Sequence, residues 1–440
     1  MEGTVVSQLV FKVVGYLSST VSDPLERETL ASMQINAGPQ RIALTEVEDI
    51  LAHTVRTHIN VPTYEVARWL LANWWRLRWE PQSKGSPSHD WMLRHSMAEL
   101  GGGYAWPPLV LSSDGEFIQI RVESEDKADV SAIRYLRDLT IDVPASDFEE
   151  AVERFVDEVE ARISALVPGC RELSDLRQEL RDERSDPELA AASKLQALAG
   201  IDPGEVSADW LRDAKDLEAR IGSVATEEIL AVSPAFRGGL ADAFSAIWAM
   251  RDSEAHVQLG WASSLSRFAQ GPDLPWVRGA KLAHEVRRHL GVPSGPISRD
   301  TLEQALGVSL PLPKSAWTMR SLAGGYRNGA QDGRTAVLVT KPHEAGQRFY
   351  LARVIAAACA SPSDAHVLAV SDAHTAFQKL ERSFAQEFLC PWSELDHFTD
   401  ERGTDEDGIA EAAEHFAVSE YLITTTLVNK GKLPRERLLA

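Results

Sequence analysis

The sequence predicts an α+β protein that is mostly helical, and three observations carry the prediction. Between Leu109 and Val122 the run LVLSSDGEFIQIRV alternates apolar and polar residues on both sides of an Asp114-Gly115 pair, which is the pattern of a β-hairpin. In SDFEEAVERFVDEVEARISALV apolar residues recur at three and four behind a Ser146-Asp147-Phe148-Glu149 capping-box spacing, which predicts a long amphipathic helix. Towards the C-terminus, GQRFYLARVIAAACASP and TAFQKLERSFAQEFLCP predict two further helices, the first strongly apolar.

Taken in order, residues 1–125 read as a small Trp-rich α+β domain. Met33–Ala43 sets a turn-like Ala-Gly-Pro between two short alternating runs, and Leu44–Arg56 follows with helical periodicity. Trp69, Trp74, Trp75, Trp79, Trp91 and Trp106 then place six of the chain's twelve tryptophans in less than a tenth of its length. Two uses fit. Such side chains supply the core of a small domain, since each can bury about 150–250 Å². Alternatively some form an aromatic platform for a base, a peptide or a partner, with Trp74, Trp75, Arg76, Arg78, Trp79 and Trp106 as the candidate contacts and Arg68 and Arg94 beside them. Gly101-Gly102-Gly103 lacks the Lys-Ser/Thr of a phosphate loop, so a turn is expected there.

Residues 126–272 read as a helical connector or docking region, its helices broken near Asp186-Pro187 and Asp202-Pro203. GPDLP at 271–275 marks the next boundary, and residues 273–440 form a third domain. That domain opens with a helix, a Gly-Pro-rich turn and a second short helix, and a strand is expected at Thr335–Thr340.

At 440 residues the chain exceeds what one core usually serves, and with 44% apolar and 25% charged residues it belongs to the ordinary folded class. The formal charge of −20 argues against a surface built to grip phosphates, and so against direct nucleic-acid binding. Cys170, Cys359 and Cys390 are too far apart for a CxxC site and read as free thiols of a reducing cytosol. The first twenty residues lack a basic lead and a cleavage-like site, and no run approaches the roughly 18–20 apolar residues that span a bilayer. A cytoplasmic protein with no membrane partner is expected.

In the third domain the motifs Arg348-Phe349-Tyr350-Leu351-Ala352, then Glu381, Phe384-Ala385 and Phe388-Leu389-Cys390-Pro391, then Ala413, Phe416, Val418-Ser419 and Leu427, follow one another in a definite order. Over about residues 275–432 this order resembles the ImmA/IrrE family of zinc endopeptidases. The resemblance implies a zincin-like domain, with a His-Glu-x-x-His helix following the first motif and a third zinc ligand at Glu381. It also implies a setting in bacterial stress response, toxin–antitoxin or phage-defence systems.

The zinc residues themselves are missing. Two imidazoles four residues apart share one helix face, since each residue turns about 100°, and a Glu beside the first deprotonates the bound water. The three positions hold Arg353, Val354 and Ala357, leaving a degenerate peptidase site of Arg353, Val354, Ala357 and Glu381. No catalytic residue, no metal ligand set and no cofactor is therefore expected, zinc included. His284 and His289 are five apart and point in different directions; a rebuilt site from His366, His374 and Glu381 is the alternative. Arg353 invites a different expectation, a buried ion pair with Glu381 that links the two helices in place of the metal.

The function expected is that of a catalytically inactive, peptidase-like binding or regulatory protein acting through protein–protein contacts. Its acidic surface favours a basic partner such as an effector, a nuclease or a repressor. The alternatives are an active metalloprotease with a non-standard metal site, and a DNA-binding transcriptional regulator using the helix-turn-helix-like Ala413–Leu427 segment, whose second helix has few basic residues.

Overall fold

The computed structural model describes residues 8–38, 40–82, 85–124, 132–236, 238–313, 321–327 and 333–438. It is α+β with helix outweighing strand, and it divides into two compact units, Thr4–Ser207 and Ala208–Ala440. Among the described residues no helix is long and apolar enough to cross a membrane.

The first unit begins with β1 (Leu9–Tyr16), α1 (Pro24–Thr29) and β2 (Leu30–Ala37); β1 and β2 pair antiparallel around a bulge between Val13 and Gly15. β3 (Ile42–Ala43) returns on β2 after Gly38, whose φ of 93° needs a glycine, so the expected Met33–Ala43 turn forms. Pro39 lies outside the described residues. The helix expected over Leu44–Arg56 does not form. Instead β4 (Val47–Asp49) and β5 (Thr54–Arg56) make a small hairpin, and β4 pairs on its other side with the distant strand Ile133–Tyr135. Long-range pairing has overridden the local period.

β6 (Ile59–Pro62) joins β2, and α2 (Thr63–Ala72), α3 (Trp74–Trp79) and α4 (His89–His95) carry Trp69, Trp74, Trp75, Trp79 and Trp91. β7 (Leu109–Ser113) and β8 (Phe117–Val122) are the expected hairpin, with Leu109 opposite Val122. The Asp114 carboxylate accepts from the amides of Glu116 and Phe117 at 2.9 and 2.7 Å, and Gly115 takes φ 98°. Ile133–Tyr135 is β9, and β10 (Leu139–Pro144) closes the sheet on β8.

α5 (Ala145–Leu166) starts one residue ahead of the capping-box position and makes no side-chain cap bond. It lays Phe148, Val152, Phe155 and Val159 on a core shared with Phe11, Ile35 and Ile118, and α6 (Glu172–Ser185) and α7 (Pro187–Leu198) add Leu173, Leu180 and Ala197 to it. These helices are thus part of the first unit, not a connector. Their apolar stripes need a sheet to cover them.

The second unit starts with α8 (Ala208–Ile221), α9 (Ser223–Leu230), α10 (Leu240–Arg251) and β11 (His256–Gln258). α11 (Pro275–His289), α12 (Arg299–Leu306), β12 (Leu322–Arg327), β13 (Arg334–Leu338), α13 (Glu344–Ala360), β14 (Val367–Ser371) and α14 (Ala376–Leu389) follow, and α15 (Trp392–Arg402), α16 (Glu406–Phe416) and α17 (Glu420–Asn429) end it. The sheet runs β11-β13-β12-β14, every pair antiparallel. Ala323, Val337, Leu368 and Val370 pack with α13 in one core. Their neighbours Leu322, Leu338, Val367 and Ala369 pack with Ile229, Ala243 and Met250 in another. The period-two alternation of the strands is what makes α9 and α10 part of this unit. The Gly324-Gly325 pair lets β12 and β14 approach, since a Cβ at Gly324 would lie 2.2 Å from the Leu368 carbonyl oxygen.

Candidate functional site

α13 is buried almost all round from Gln347 to Cys359, so it runs through the core instead of along a surface. α14 is amphipathic, and its N-terminus is fixed by the Thr375 hydroxyl, which accepts from the Gln378 amide at 3.2 Å. Gly279 of α11 seats against α14, where a Cβ would fall 2.3 Å from the Leu380 carbonyl oxygen. This packing sets the depth at which Arg353 of α13 and Glu381 of α14 meet.

Arg353 and Glu381 are 1% and 0% exposed, and Nε of the one lies 3.4 Å from Oε2 of the other. The expected ion pair is formed, although the angle makes no hydrogen bond and both carboxylate oxygens of Glu381 lack one. The guanidinium is held from its other end: Nη2 donates to the Ser371 carbonyl at 2.5 Å and to the side-chain oxygen of Gln378, and the Tyr350 ring lies 5.3 Å away. Gln378 also accepts from the Ser371 amide at 3.0 Å and donates to the Ala369 carbonyl at 3.2 Å, pairing with β14 as a further strand would. Arg382 donates to the Ala373 carbonyl at 2.8 Å.

A second carboxylate enters from α9. Glu228, fully buried, accepts from the Thr375 hydroxyl at 2.9 Å and from the Ser371 hydroxyl at 3.5 Å. Burial pushes its carboxyl up to about 7. Burial also raises the Glu381 carboxyl well above the ordinary range; Arg353 opposes this, and Glu228 adds to it. Arg382 is pushed down to about 10, first by burial and then by the charge of Arg353. Two carboxyls and two guanidiniums thus act on one another at this end of α14. Sequence reasoning missed Glu228, Ser371, Gln378 and Arg382; Glu228 stands beside Glu227 in SVATEEIL, and no local spacing tells the two apart.

Val354 and Ala357 lie in the apolar core beside Arg353. His366 and His374 are exposed while Glu381 is interior, so the three do not assemble. The side chain of His284 meets Glu387 at 3.3 Å, and His289 stacks on Trp261 at 5.2 Å. Among the described residues no three of His, Cys, Asp and Glu gather as a metal site. The donor set does not fit zinc either, since a divalent ion beside Glu381 would face the Arg353 guanidinium.

The tryptophan-rich segment turns inward. Trp74 and Trp75 meet edge to face at 4.9 Å, and Trp75 Nε1 donates to Glu183 at 2.6 Å. Trp106 is buried, and its Nε1 donates to the Gly101 carbonyl at 2.5 Å. Trp79, half-buried, has Arg78 3.9 Å and Lys194 4.2 Å from its ring centre. Arg76 is buried against Glu80, Asp90 and Asp202 at 2.6, 2.9 and 3.4 Å, and Arg78 holds Glu149 at 2.7 Å. Of these six residues Trp74, Trp75, Arg76 and Trp106 are buried in the unit's own core and ion-pair network and Arg78 and Trp79 are partly buried, as expected of large rings, which recover free energy by burial.

Further along, α16 and α17 join through Ala417, whose φ of 51° makes a tight left-handed turn. α17 buries Leu422, Ile423, Thr426 and Leu427, and its outward residues include Glu420, Tyr421 and Asn429, a poor surface for phosphates. No family model, no curated protein and no solved structure matches the chain.

Proposed function

We propose that the chain is a catalytically inactive, peptidase-like binding protein that acts through contacts with another protein, in the bacterial stress, toxin–antitoxin or phage-defence setting that the ImmA/IrrE resemblance implies. The observation that supports this reading is the side chain at position 353. Where the resemblance calls for a zinc-bound imidazole, a buried guanidinium is tied to Glu381, Ser371 and Gln378. It is too embedded to be displaced by a metal without breaking three contacts. A helix pair with Arg353, Val354 and Ala357 where the ligands and the base would stand supports binding without cutting. The net charge of −20 supports a basic partner.

Metal analysis and a proteolysis assay on the full chain test this. The expected outcome is substoichiometric zinc and no chelator-sensitive cleavage of a peptide substrate, together with co-purification of a basic protein from the native host. Stoichiometric zinc with chelator-sensitive cleavage would overturn it.

A further inference from the structure

His95, the last residue of α4, is fully buried in the first unit. Its Nδ1 lies 2.7 Å from the Leu111 carbonyl oxygen of β7, and its Nε2 lies 2.9 Å from Glu80 Oε2 at the C-terminal end of α3. A carbonyl oxygen only accepts, so Nδ1 carries a proton. The Glu80 carboxylate already takes Arg76 Nε at 2.6 Å and Arg76 Nη2 at 3.1 Å, a two-pronged grip that holds it ionised, so it too only accepts. Both ring nitrogens therefore donate, and a ring that donates twice is an imidazolium. The Trp91 ring lies parallel to it at 4.1 Å, an aromatic face of the kind that attracts a cation.

Either neutral tautomer would turn a ring lone pair onto one of these two oxygens. Without the Nε2 proton the ring faces the Glu80 carboxylate; without the Nδ1 proton it faces the Leu111 carbonyl. In each case attraction becomes repulsion, and one contact has to open. The two contacts hold the end of α4 in place. β7 is the outer strand of the sheet β10-β8-β7, and beside His95 the Ser96 backbone bridges to Val110 of that strand. Further back along the helix, Trp69 Nε1 donates to the Leu93 carbonyl at 3.3 Å.

The charged groups around the ring come from several elements. α3 presents Arg76 and Glu80, α4 presents Asp90 and Arg94, and Asp202 arrives from the segment after α7. Glu80 is in direct contact with the ring, and the rest are joined to it by a chain of ion pairs through Arg76. Glu99 of the turn Met97–Leu100 is exposed, Glu65 and Arg68 of α2 pair with each other, and β7 carries no titratable side chain.

We propose that His95 is a proton-operated lock on α4: as an imidazolium it fastens the helix to the edge of β7 and to Glu80, and loss of one ring proton to solvent releases the end of the helix from that edge. The lock lies within the first unit and is independent of the reading of Arg353 and Glu381.

The full chain, with its histidine rings labelled in nitrogen, is followed by long-range proton–nitrogen correlation across pH, and His95 is recognised by its contacts with the Trp91 ring. Amide hydrogen exchange over His89–Ser96, corrected for the intrinsic effect of pH, is read on the same samples. Both ring nitrogens are expected to be protonated wherever α4 is protected, and protection over Trp91–Ser96 is expected to fall about tenfold as the ring loses a proton. His95→Gln, whose amide nitrogen donates twice and does not titrate, is expected to remove this pH step. Glu80→Gln offers a neutral ring a donor, and is expected to leave α4 protected with His95 neutral. In the unaltered chain, a neutral His95 ring in a protected α4 would overturn the proposal. So would a ring that titrates with no change in protection, or one that stays charged until the whole unit unfolds. These three outcomes are read without any variant, so they stand whether or not the variants fold.

Discussion

Replacing Arg353 by Met removes the positive partner of Glu381 and leaves the Ser371 carbonyl and the Gln378 side-chain oxygen without their guanidinium donor. Breaking a buried pair from one side costs about 3–5 kcal/mol, because the remaining charge has neither water nor a counter-ion. For a unit of this size that lowers the melting temperature by roughly 10 °C. The cost depends on pH. Burial already raises the Glu381 carboxyl, so the folded chain binds its proton more tightly than the unfolded chain does. Stability therefore falls as pH rises from the ordinary carboxylate range to the raised value. Arg353 opposes this by favouring the carboxylate. Without it the carboxyl titrates higher still, and the gap between variant and wild type is expected to be wider at about pH 8 than at about pH 5. Adding Glu381→Leu to Arg353→Met is expected to recover most of the loss, with a coupling energy of about 1–3 kcal/mol. The assay is thermal melting at both pH values, with amide hydrogen exchange over Glu344–Ala360 and Ala376–Leu389 to place the effect in this helix pair. An Arg353→Met chain that melts with the wild type at both pH values would refute the claim that the guanidinium links the helices.

Glu228→Gln is expected to flatten the stability profile between pH 4.5 and about 7, the window over which a carboxyl raised by burial costs the wild type about 3 kcal/mol as pH rises; denaturant titrations at a series of pH values check it. Gly279→Ala drives a methyl to 2.3 Å from the Leu380 carbonyl oxygen and is expected to lose about 3 kcal/mol by overpacking, read as a lower melting temperature of the second unit. Trp75→Phe removes the 2.6 Å bond to Glu183 and is expected to cost about 1–2 kcal/mol by chemical denaturation. Added zinc is expected to leave the melting temperature unchanged; a rise that grows with zinc concentration would reveal a site in the native chain.

Much of the fold was legible because its signals are local. The Leu109–Val122 hairpin announces itself by alternation around Asp114-Gly115, and α13 and α14 by apolar content over more than three turns. Leu44–Arg56 was misread because its strands are held by partners that periodicity cannot see: β4 pairs with Ile133–Tyr135, some eighty residues away. The placement of the middle helices was equally hidden. An amphipathic stripe says that a helix needs cover, not which sheet provides it, and here α5 finds β1 and β8 while α9 and α10 find β12 to β14.

The candidate site divides in the same way. By itself the sequence determined the identities that matter for chemistry: Arg353, Val354 and Ala357 cannot bind zinc or move a proton wherever they lie, because ligation and basicity belong to the side-chain atoms. It also determined that Glu381 sits on a helix able to face them. Only the tertiary structure decided that Arg353 turns inward, that Glu228 arrives from α9 to act on Glu381, and that Trp74, Trp75 and Trp106 lie in their own core. Burial, charge pairing and raised carboxyl affinities are properties of neighbours brought together across the chain, and no local spacing encodes them.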